Sequence, residues 1–170
     1  MVNKTETFTS DLLIIGAGGS GLTAAIAAAG RGVKVRVIDR RRTAGGTMNM
    51  LAGVVAAESP TQKRAGIGIT VDDLFLKHMQ YSHWTLNPRL VRSWLSRTGD
   101  TIRWLEEKGV QFKIYSMFTD EPPTSWHWGL RVGADIVKVL LQECENLGVI
   151  FSFETRAKGL LRDKSGKITG

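Results

Sequence analysis

Three glycines near the amino terminus have the spacing of a nucleotide-binding turn. Gly16, Gly18 and Gly21 form the pattern G-x-G-x-x-G, and Asp39 ends the next apolar segment. The first glycine of this pattern permits a tight turn, the second lets the backbone approach a pyrophosphate, and the third lets a helix pack closely on a strand. An acid in the position of Asp39 accepts hydrogen bonds from an adenosine ribose. The pattern indicates a nicotinamide or flavin dinucleotide site; a glycine-rich turn that binds nothing is the alternative.

The segments around these glycines predict the strand–helix–strand unit that positions such a site. Residues 12–15 are a continuous apolar run, typical of a strand buried on both faces of a parallel sheet. Leu22 and Ala25 then begin an apolar repeat at helical spacing, and residues 34–39 predict a second strand. The βαβ core therefore spans residues 11–42. The amino-terminal end of its helix would present N–H groups and a partial positive charge to phosphates.

We expect an α/β protein with a Rossmann-like, three-layer fold built on a parallel sheet. Residues 43–69 predict an ordered loop or short helices over a ligand, and about 58–132 predict a helical insertion. The segment 134–156 predicts a helix and a third strand, and 157–170 predicts a hairpin that starts a β-meander. The elements expected inside the insertion are helices that begin after Thr70 and Asn87, a helix around 102–105, a strand at 111–118 and a loop at 119–129.

The composition favours one globular domain and argues against several classes of protein. The chain has 170 residues and a net charge of +7, but its basic residues form no stripe with interleaved aromatic residues, so we expect no nucleic-acid partner. The longest apolar stretch is too short to cross a bilayer, and the polar amino terminus favours a cytoplasmic location. Cys144, the single cysteine, is expected in the core. The three histidines lack the spacing of a metal site, so no metal is expected.

A second glycine pair separates the two kinds of dinucleotide. Gly45 and Gly46 follow Asp39 in the stretch DRRRTAGGTMNMLAGVVAA, which resembles the flavoproteins of the fumarate reductase and succinate dehydrogenase type. The later stretch GADIVKVLLQECENLGVIFSFETRAKGLLRDKSGKITG resembles the same family, and the likeness covers residues 10–58 and 133–170. The resemblance implies FAD as the cofactor, with the glycine pair and the small residues after it around the pyrophosphate and the isoalloxazine ring.

The resemblance also implies which residues contact FAD. They are Gly16, Gly18, Gly19 and Ser20 at the pyrophosphate, with Gly21 completing the motif; Asp39 and Arg40 at the ribose; Gly45, Gly46, Thr47 and Met48 along the pyrophosphate and ribityl chain; Ala52 and Gly53 near the flavin ring; and Ala157 at adenine through its backbone. Members with covalent flavin carry histidine where Thr47 stands, so FAD is expected to be non-covalent. Many relatives have a second glycine where Val54 stands.

The same resemblance implies a flavin-dependent oxidoreductase acting on a carbon–carbon bond next to a carboxylate or carbonyl. In such enzymes the catalytic side chains come from a capping domain and later segments. We therefore expect no catalytic residue here, and a chain that is the amino-terminal portion of a longer enzyme and is inactive alone. The apolar helix faces at 71–79 and 134–147 would then lack part of their cover and favour self-association. Two alternatives stay open: a stand-alone nucleotide-binding or interaction module without catalysis, and a fragment of an NAD-dependent oxidoreductase.

Overall fold

A computed structural model of the protein describes residues 7–116, 122, 124–129 and 131–170. The described residues form two compact units: unit 1 consists of those up to Asn49 together with Leu140–Gly170, and unit 2 of those within Met50–Val139. In chain order the elements are β1 (Leu12–Ile15), α1 (Gly19–Ala29), β2 (Val35–Ile38), a 3₁₀ helix (Gly46–Met50), β3 (Gly53–Val55), α2 (Pro60–Arg64), α3 (Val71–Tyr81), α4 (Pro88–Leu95), α5 (Thr98–Glu107), β4 (Lys113–Tyr115), β5 (Trp126–Trp128), α6 (Val132–Asn146) and β6 (Ile150–Ser152).

Unit 1 contains a three-stranded parallel sheet in the order β1-β2-β6. Leu12 pairs with Val35 between the first two strands, and Val37 pairs with Phe151 between β2 and β6. The prediction of an α/β fold on a parallel sheet is confirmed. Because the three strands run in one direction, the loops that follow them leave the sheet at the same edge, where ligands of such sheets bind.

One face of this sheet carries the core of unit 1. Val35 and Val37 of β2 are buried, as are Leu22 and Ala25 of α1. Cys144 of α6 is also fully buried, and its thiol donates to the Leu22 carbonyl oxygen at 3.6 Å. The expectation that this cysteine lies in the core is confirmed.

The opposite face of the sheet carries exposed apolar side chains. Leu13, Ile15 and Ile150 are 43, 59 and 52% exposed. Leu13 and Ile150 both pair with Arg36 in the strand register, so they lie on the same face of the sheet. One exposed apolar surface of unit 1 is therefore a sheet face.

The expectation that two helix faces lack cover is wrong. Leu74 and Met79 of α3 are buried, and so are Ile136 and Leu140 of α6. The apolar period of a helix predicts which of its faces is buried, but it does not identify the element that covers that face. The buried face of α3 packs in a core with Val91 and Leu95, and Cys144 of α6 contacts Leu22 of α1.

Unit 2 contains a second sheet, which is antiparallel and has the order β3-β5-β4. Val54 pairs with His127, which also pairs with Ile114. β4 lies where a strand was expected. β3 and β5 lie in segments predicted as loops, so the sequence interpretation is wrong at these two places. Each of these strands has three residues, and three residues are too few to establish an alternating pattern.

Side chains cap the helices of unit 2. Thr70 caps α3 and exchanges hydrogen bonds with Asp73, and Asn87 caps α4 with Pro88 as its first residue. Both predicted helix starts are confirmed. The helices surround a core that contains Ala57, Leu74, Met79, Val91 and Leu95.

The chain after β6 turns at Asp163. Arg162 and Ile168 form an antiparallel bridge. The Asp163 carboxylate accepts hydrogen bonds from the N–H groups of Ser165 and Lys167 at 2.8 and 3.0 Å. An aspartate that bonds to its own following backbone is a common way to form such a turn.

Candidate dinucleotide-binding site

The glycine motif forms a sharp turn between β1 and α1. Gly16 follows β1 and has a φ of +105°, a conformation that residues with side chains rarely adopt. Its N–H donates to the Ile38 carbonyl oxygen at 2.8 Å, which ties the turn to the end of β2. Gly21 lies in the first turn of α1, and a Cβ there would overlap the Gly16 carbonyl oxygen. The fold itself therefore requires glycine at both positions.

Gly18 differs, because no contact within the described structure requires a glycine there. Its φ is −81°, which any residue adopts. The nearest heavy atom to an added Cβ would be the Gly45 carbonyl oxygen, at an ordinary contact distance of 3.9 Å. The missing side chain leaves the backbone at the start of α1 open to close approach.

The amino-terminal end of α1 is suited to an anion. Gly18 is the N-cap, so the helix start has no side-chain cap, and the first turn contains no acidic residue. The first N–H groups of a helix have no partner within the helix, and they carry the positive end of the helix dipole. Phosphate oxygens satisfy both of these features.

The second glycine pair lies directly beside this turn. Gly45 forms a parallel bridge with Gly18, and its N–H donates to the Ala17 carbonyl oxygen at 2.7 Å. A Cβ at Gly19 would overlap the end of the Met48 side chain, so these two positions are also adjacent. The structure therefore brings together two predicted segments that are separated in sequence by the whole of α1 and β2.

Asp39, immediately after β2, is held by two backbone hydrogen bonds. The Arg41 N–H donates to Oδ1 and the Ala17 N–H to Oδ2, both at 2.8 Å. The bond from Arg41, and to a smaller extent that from Ala17, holds the pKa of the Asp39 carboxyl below its usual value. A carboxylate oxygen can accept more than one hydrogen bond, so both retain capacity for ligand hydroxyls. Asp39 thus links the glycine turn to the loop after β2.

A cavity of about 310 Å³ opens at the carboxyl ends of the parallel strands. The predicted site residues that line it are Gly16, Asp39, Arg40, Gly46 and Ala157. The remaining lining residues are Ile15, Ile38, Arg41, Thr155 and Arg156. Its volume is within the range of small-molecule sites.

Thr155 and Arg156 are lining residues that sequence reasoning missed. They follow β6, and two backbone hydrogen bonds hold this segment against the loop after β2. The Thr155 N–H donates to the Asp39 carbonyl oxygen at 2.9 Å, and the Glu154 N–H donates to the Arg41 carbonyl oxygen at 3.0 Å. The rule that ligands lie at the carboxyl ends of parallel strands could have pointed to this segment once the third strand was recognised.

Nine predicted residues are not among those that line the cavity: Gly18, Gly19, Ser20, Gly21, Gly45, Thr47, Met48, Ala52 and Gly53. Ser20 lies in the first turn of α1, and Thr47 is exposed in the 3₁₀ helix. Ala52 and Gly53 belong to unit 2, where Gly53 begins β3. A Cβ at Gly53 would be 2.6 Å from the indole ring of Trp126, so packing within unit 2 is sufficient to explain that glycine.

Metal and thiol chemistry find no support in the described residues. Among them, no group of three or more histidine, cysteine or acidic side chains is placed to hold a metal ion. Burial raises the pKa of the Cys144 thiol to about 11, so it stays protonated at neutral pH. The described helices are also all too short or too polar to cross a membrane.

The fold and the site together define an α/β dinucleotide-binding unit. The chain matches the family described as FAD binding domain over residues 11–170, and it belongs to that family. The prediction of FAD as the cofactor is confirmed. The resemblance to fumarate reductase and succinate dehydrogenase flavoproteins is confirmed as well.

Known relatives extend well beyond the length of this chain. Vinyl phenol reductase of Lactiplantibacillus plantarum is 30% identical over 162 residues, which are 94% of this chain and 32% of that protein. Fumarate reductase (cytochrome) of Shewanella frigidimarina is 28% identical over 166 residues, 95% of this chain and 29% of that protein. The chain therefore spans about a third of the length of these relatives.

A solved structure shares the fold. The 3-ketosteroid-Δ4-(5α)-dehydrogenase of Rhodococcus jostii RHA1 superposes with a TM-score of 0.82 and 20% identity. The superposition covers 98% of this chain and 42% of the dehydrogenase chain. At this identity the likeness establishes the common fold.

Proposed function

We propose that this chain binds FAD non-covalently, chiefly through its adenosine and pyrophosphate, as the amino-terminal portion of a flavin-dependent oxidoreductase. The observation that carries the proposal is Gly18, whose missing side chain serves no contact in the described structure. Gly16 and Gly21 serve the fold, as the φ of the first and the close packing of the second demonstrate. A pyrophosphate that approaches the backbone at the start of α1 accounts for the glycine at position 18.

The adenosine would occupy the cavity at the ends of the parallel strands. Asp39 would accept hydrogen bonds from the ribose hydroxyls, and Arg40 would lie beside the ribose. The backbone of Ala157 would contact adenine. The lining of the cavity by these three residues supports the assignment.

The segment from Gly45 to Met48 would contact the pyrophosphate and the ribityl chain. Its bridge to Gly18 supports this role, because a second stretch of glycine backbone then adjoins the helix start. Thr47 offers a hydroxyl in place of an imidazole nitrogen, which supports a non-covalent flavin. The position of Ala52 and Gly53 near the flavin ring rests on the family resemblance.

For the whole protein we propose the oxidation or reduction of a carbon–carbon bond next to a carboxylate or carbonyl. Fumarate, named in one relative, has a double bond between two carboxylates, whereas the double bond of vinyl phenol adjoins an aromatic ring. Bound FAD supplies the acceptance or release of hydride. This chain supplies the groups that hold its nucleotide half, and no residue of the chain is proposed as catalytic.

The proposal is tested by titrating the 170-residue chain with FAD, ADP and NAD. ADP is contained in both dinucleotides, so all three should bind through the same cavity. We expect FAD to bind at least about tenfold more tightly than NAD, a difference of about 1.4 kcal/mol, because only FAD has groups for the Gly45–Met48 segment. NAD binding as tight as FAD binding would favour the NAD-dependent alternative. A chain that binds none of the three would favour an interaction module.

A further inference from the structure

A buried histidine of unit 2 takes no part in the proposed nucleotide cavity. His127, at the centre of β5, and Ser59, the N-cap of α2, are both fully buried. Ser59 Oγ and His127 Nε2 are 2.6 Å apart, so the two side chains share a hydrogen bond. Buried polar pairs of this kind hold a structure in one arrangement when all their groups are satisfied.

The direction of each hydrogen bond follows from its partners. His127 Nδ1 lies 3.0 Å from the Ser125 carbonyl oxygen, which can only accept, so Nδ1 carries the proton. Nε2 is then an acceptor, and the Ser59 hydroxyl donates to it. The Ser59 oxygen also accepts from the Gln62 N–H at 3.1 Å. This assignment applies to the neutral ring, which burial favours because it lowers the pKa of His127.

Gln62 extends this network to the segment that leaves β3. Its Nε2 donates to the carbonyl oxygens of Ala56 and Thr124 at 2.8 and 2.7 Å, and its Oε1 accepts from the Ser59 N–H at 2.8 Å. The Ala56 N–H donates to the Ser125 carbonyl oxygen at 3.0 Å. The segment after β3 and the segment before β5 are therefore bonded to each other at several points.

The charged group near this network has its own partner. Glu106 of α5 forms an ion pair with Arg64 at 2.6 Å and accepts a hydrogen bond from Thr61. Its charge raises the pKa of His127, but less than burial lowers it. The contribution of His127 is therefore made through directed hydrogen bonds and not through an ion pair.

The geometry points to His127 as a positioning residue for β3, the strand whose first residue, Gly53, is proposed to adjoin the flavin ring. Val54 of β3 is the register partner of His127, and the Ser59–Gln62 link holds the residues that follow the strand. His127 acts through β3, without contact to FAD. Loss of its bond to Ser59 lets β3 shift, which weakens contacts to the flavin ring and leaves the binding of ADP unchanged. This inference rests on the proposed function.

Two substitutions of His127 test the roles of its two ring nitrogens separately. His127→Asn keeps an N–H near Nδ1 for Ser125 but does not reach Ser59, whereas His127→Gln places an amide oxygen within reach of Ser59. We expect His127→Asn to weaken FAD binding by about tenfold, since a buried hydroxyl loses its acceptor. The visible absorption of bound FAD should change as well, and the dissociation constant of ADP should not. His127→Gln should restore both the affinity for FAD and its spectrum.

Matched variants separate positioning from a general loss of stability. Ser59→Ala should reproduce the effect of His127→Asn, and Ser59→Thr, which keeps the hydroxyl, should not. Ile102→Val removes one buried carbon elsewhere in unit 2 and should leave FAD binding unchanged. If His127→Asn does not fold, the comparison of Ser59→Ala with Ser59→Thr carries the same test.

The outcomes distinguish this inference from the proposed function. Equal FAD affinity and an equal spectrum in the parent, His127→Asn and Ser59→Ala would overturn the positioning role. An equal loss of FAD and ADP affinity in those variants would overturn it too. A parent chain that binds ADP and FAD equally well would show that the flavin ring makes no contact with the chain. The proposed position of Gly53 next to the flavin ring would then be wrong, whatever the role of His127.

Discussion

The glycine turn of unit 1 and the His127 network of unit 2 use polar groups in opposite ways. At the start of α1, backbone N–H groups lack intrahelical partners and Gly18 leaves space beside them. In the His127 network, the side chains of Ser59 and His127 bond to each other, and the Gln62 side chain bonds to backbone groups of Ser59 and Ala56. Open donors favour a ligand that satisfies them, whereas a closed network stabilises one arrangement of the chain. The comparison supports the proposed binding site in the first region and a scaffold role for the second.

Gly21→Ala should produce the largest change, and it tests whether the turn in unit 1 is packed as described. The new Cβ would overlap the Gly16 carbonyl oxygen, and shifts forced by overpacking cost about 1–3 kcal/mol or more. Urea unfolding should show a lower free energy of unfolding, and ADP binding should fall with it. Gly159→Ala, where a Cβ meets no atom within 4 Å, is the control. Unchanged stability of Gly21→Ala would contradict the described packing.

Asp39→Ala should have the next largest effect, because Asp39 belongs to both the fold and the proposed site. A hydrogen bond to a charged group is worth about 1.5–3 kcal/mol, so the affinities for ADP and FAD should each fall about tenfold or more. Stability should also fall, since the N–H groups of Ala17 and Arg41 lose their acceptor. Calorimetric titration measures the first effect and urea unfolding the second. Parent-like affinity in Asp39→Ala would remove the ribose role.

Lowering the pH should destabilise the two units at different pH values. Burial lowers the pKa of His127 in the folded chain, so its contribution to stability is complete above about pH 6.5 and declines as the pH falls from there toward the folded pKa. The pKa of Asp39 is also lowered, so its contribution is complete above about pH 4 and is lost only as the pH falls through its folded value. Unit 2 should therefore weaken first.

Tryptophan fluorescence can follow this difference, because all five tryptophans lie between residues 84 and 128, within unit 2. The urea midpoint measured by fluorescence should fall between pH 6.5 and 5 in the parent, since burial lowers the pKa of His127 in the folded chain. The fall should be smaller in His127→Gln. A parent midpoint that is constant over this interval would contradict a buried neutral histidine.

Arg42→Gln should have the smallest effect. The ion pair between Arg42 and Glu154 spans 2.9 Å, but both side chains are mostly exposed. Such pairs contribute at most about 1 kcal/mol. Because two backbone hydrogen bonds already hold residues 154 and 155 against the loop after β2, FAD affinity should stay within about twofold of the parent value. A larger loss would mean that this ion pair shapes the cavity.

The sequence predicts unit 1 well because its signals are local. The turn at Gly16, the helix that starts near Gly18 and the acid at Asp39 each depend on a few neighbouring residues, and β1 is a continuous apolar run. The assignment of these residues to FAD contacts stays a prediction, as do the cytoplasmic location and the self-association of the chain.

Unit 2 was harder to predict because its sheet depends on pairing between distant short segments. β3 contains Gly53, where the Trp126 ring leaves no room for a side chain, and β5 consists of two tryptophans around a histidine. Neither strand therefore has a clear alternating pattern. The partner of His127 is Ser59, far away in sequence, and only the folded sheet brings them together. Thr155 was missed for a related reason, since its place at the cavity depends on the order of strands in the sheet.

Gly18→Ala tests the central claim most directly. The substitution should leave the free energy of unfolding within about 1 kcal/mol of the parent value, because the new methyl group meets no atom closer than 3.9 Å. It should weaken FAD and ADP binding by about tenfold or more, since a Cβ now stands where the pyrophosphate approaches the backbone. Calorimetric titration and urea unfolding of the same preparation give both quantities. A Gly18→Ala chain that is as stable as the parent and binds FAD equally tightly would contradict a pyrophosphate site at this turn.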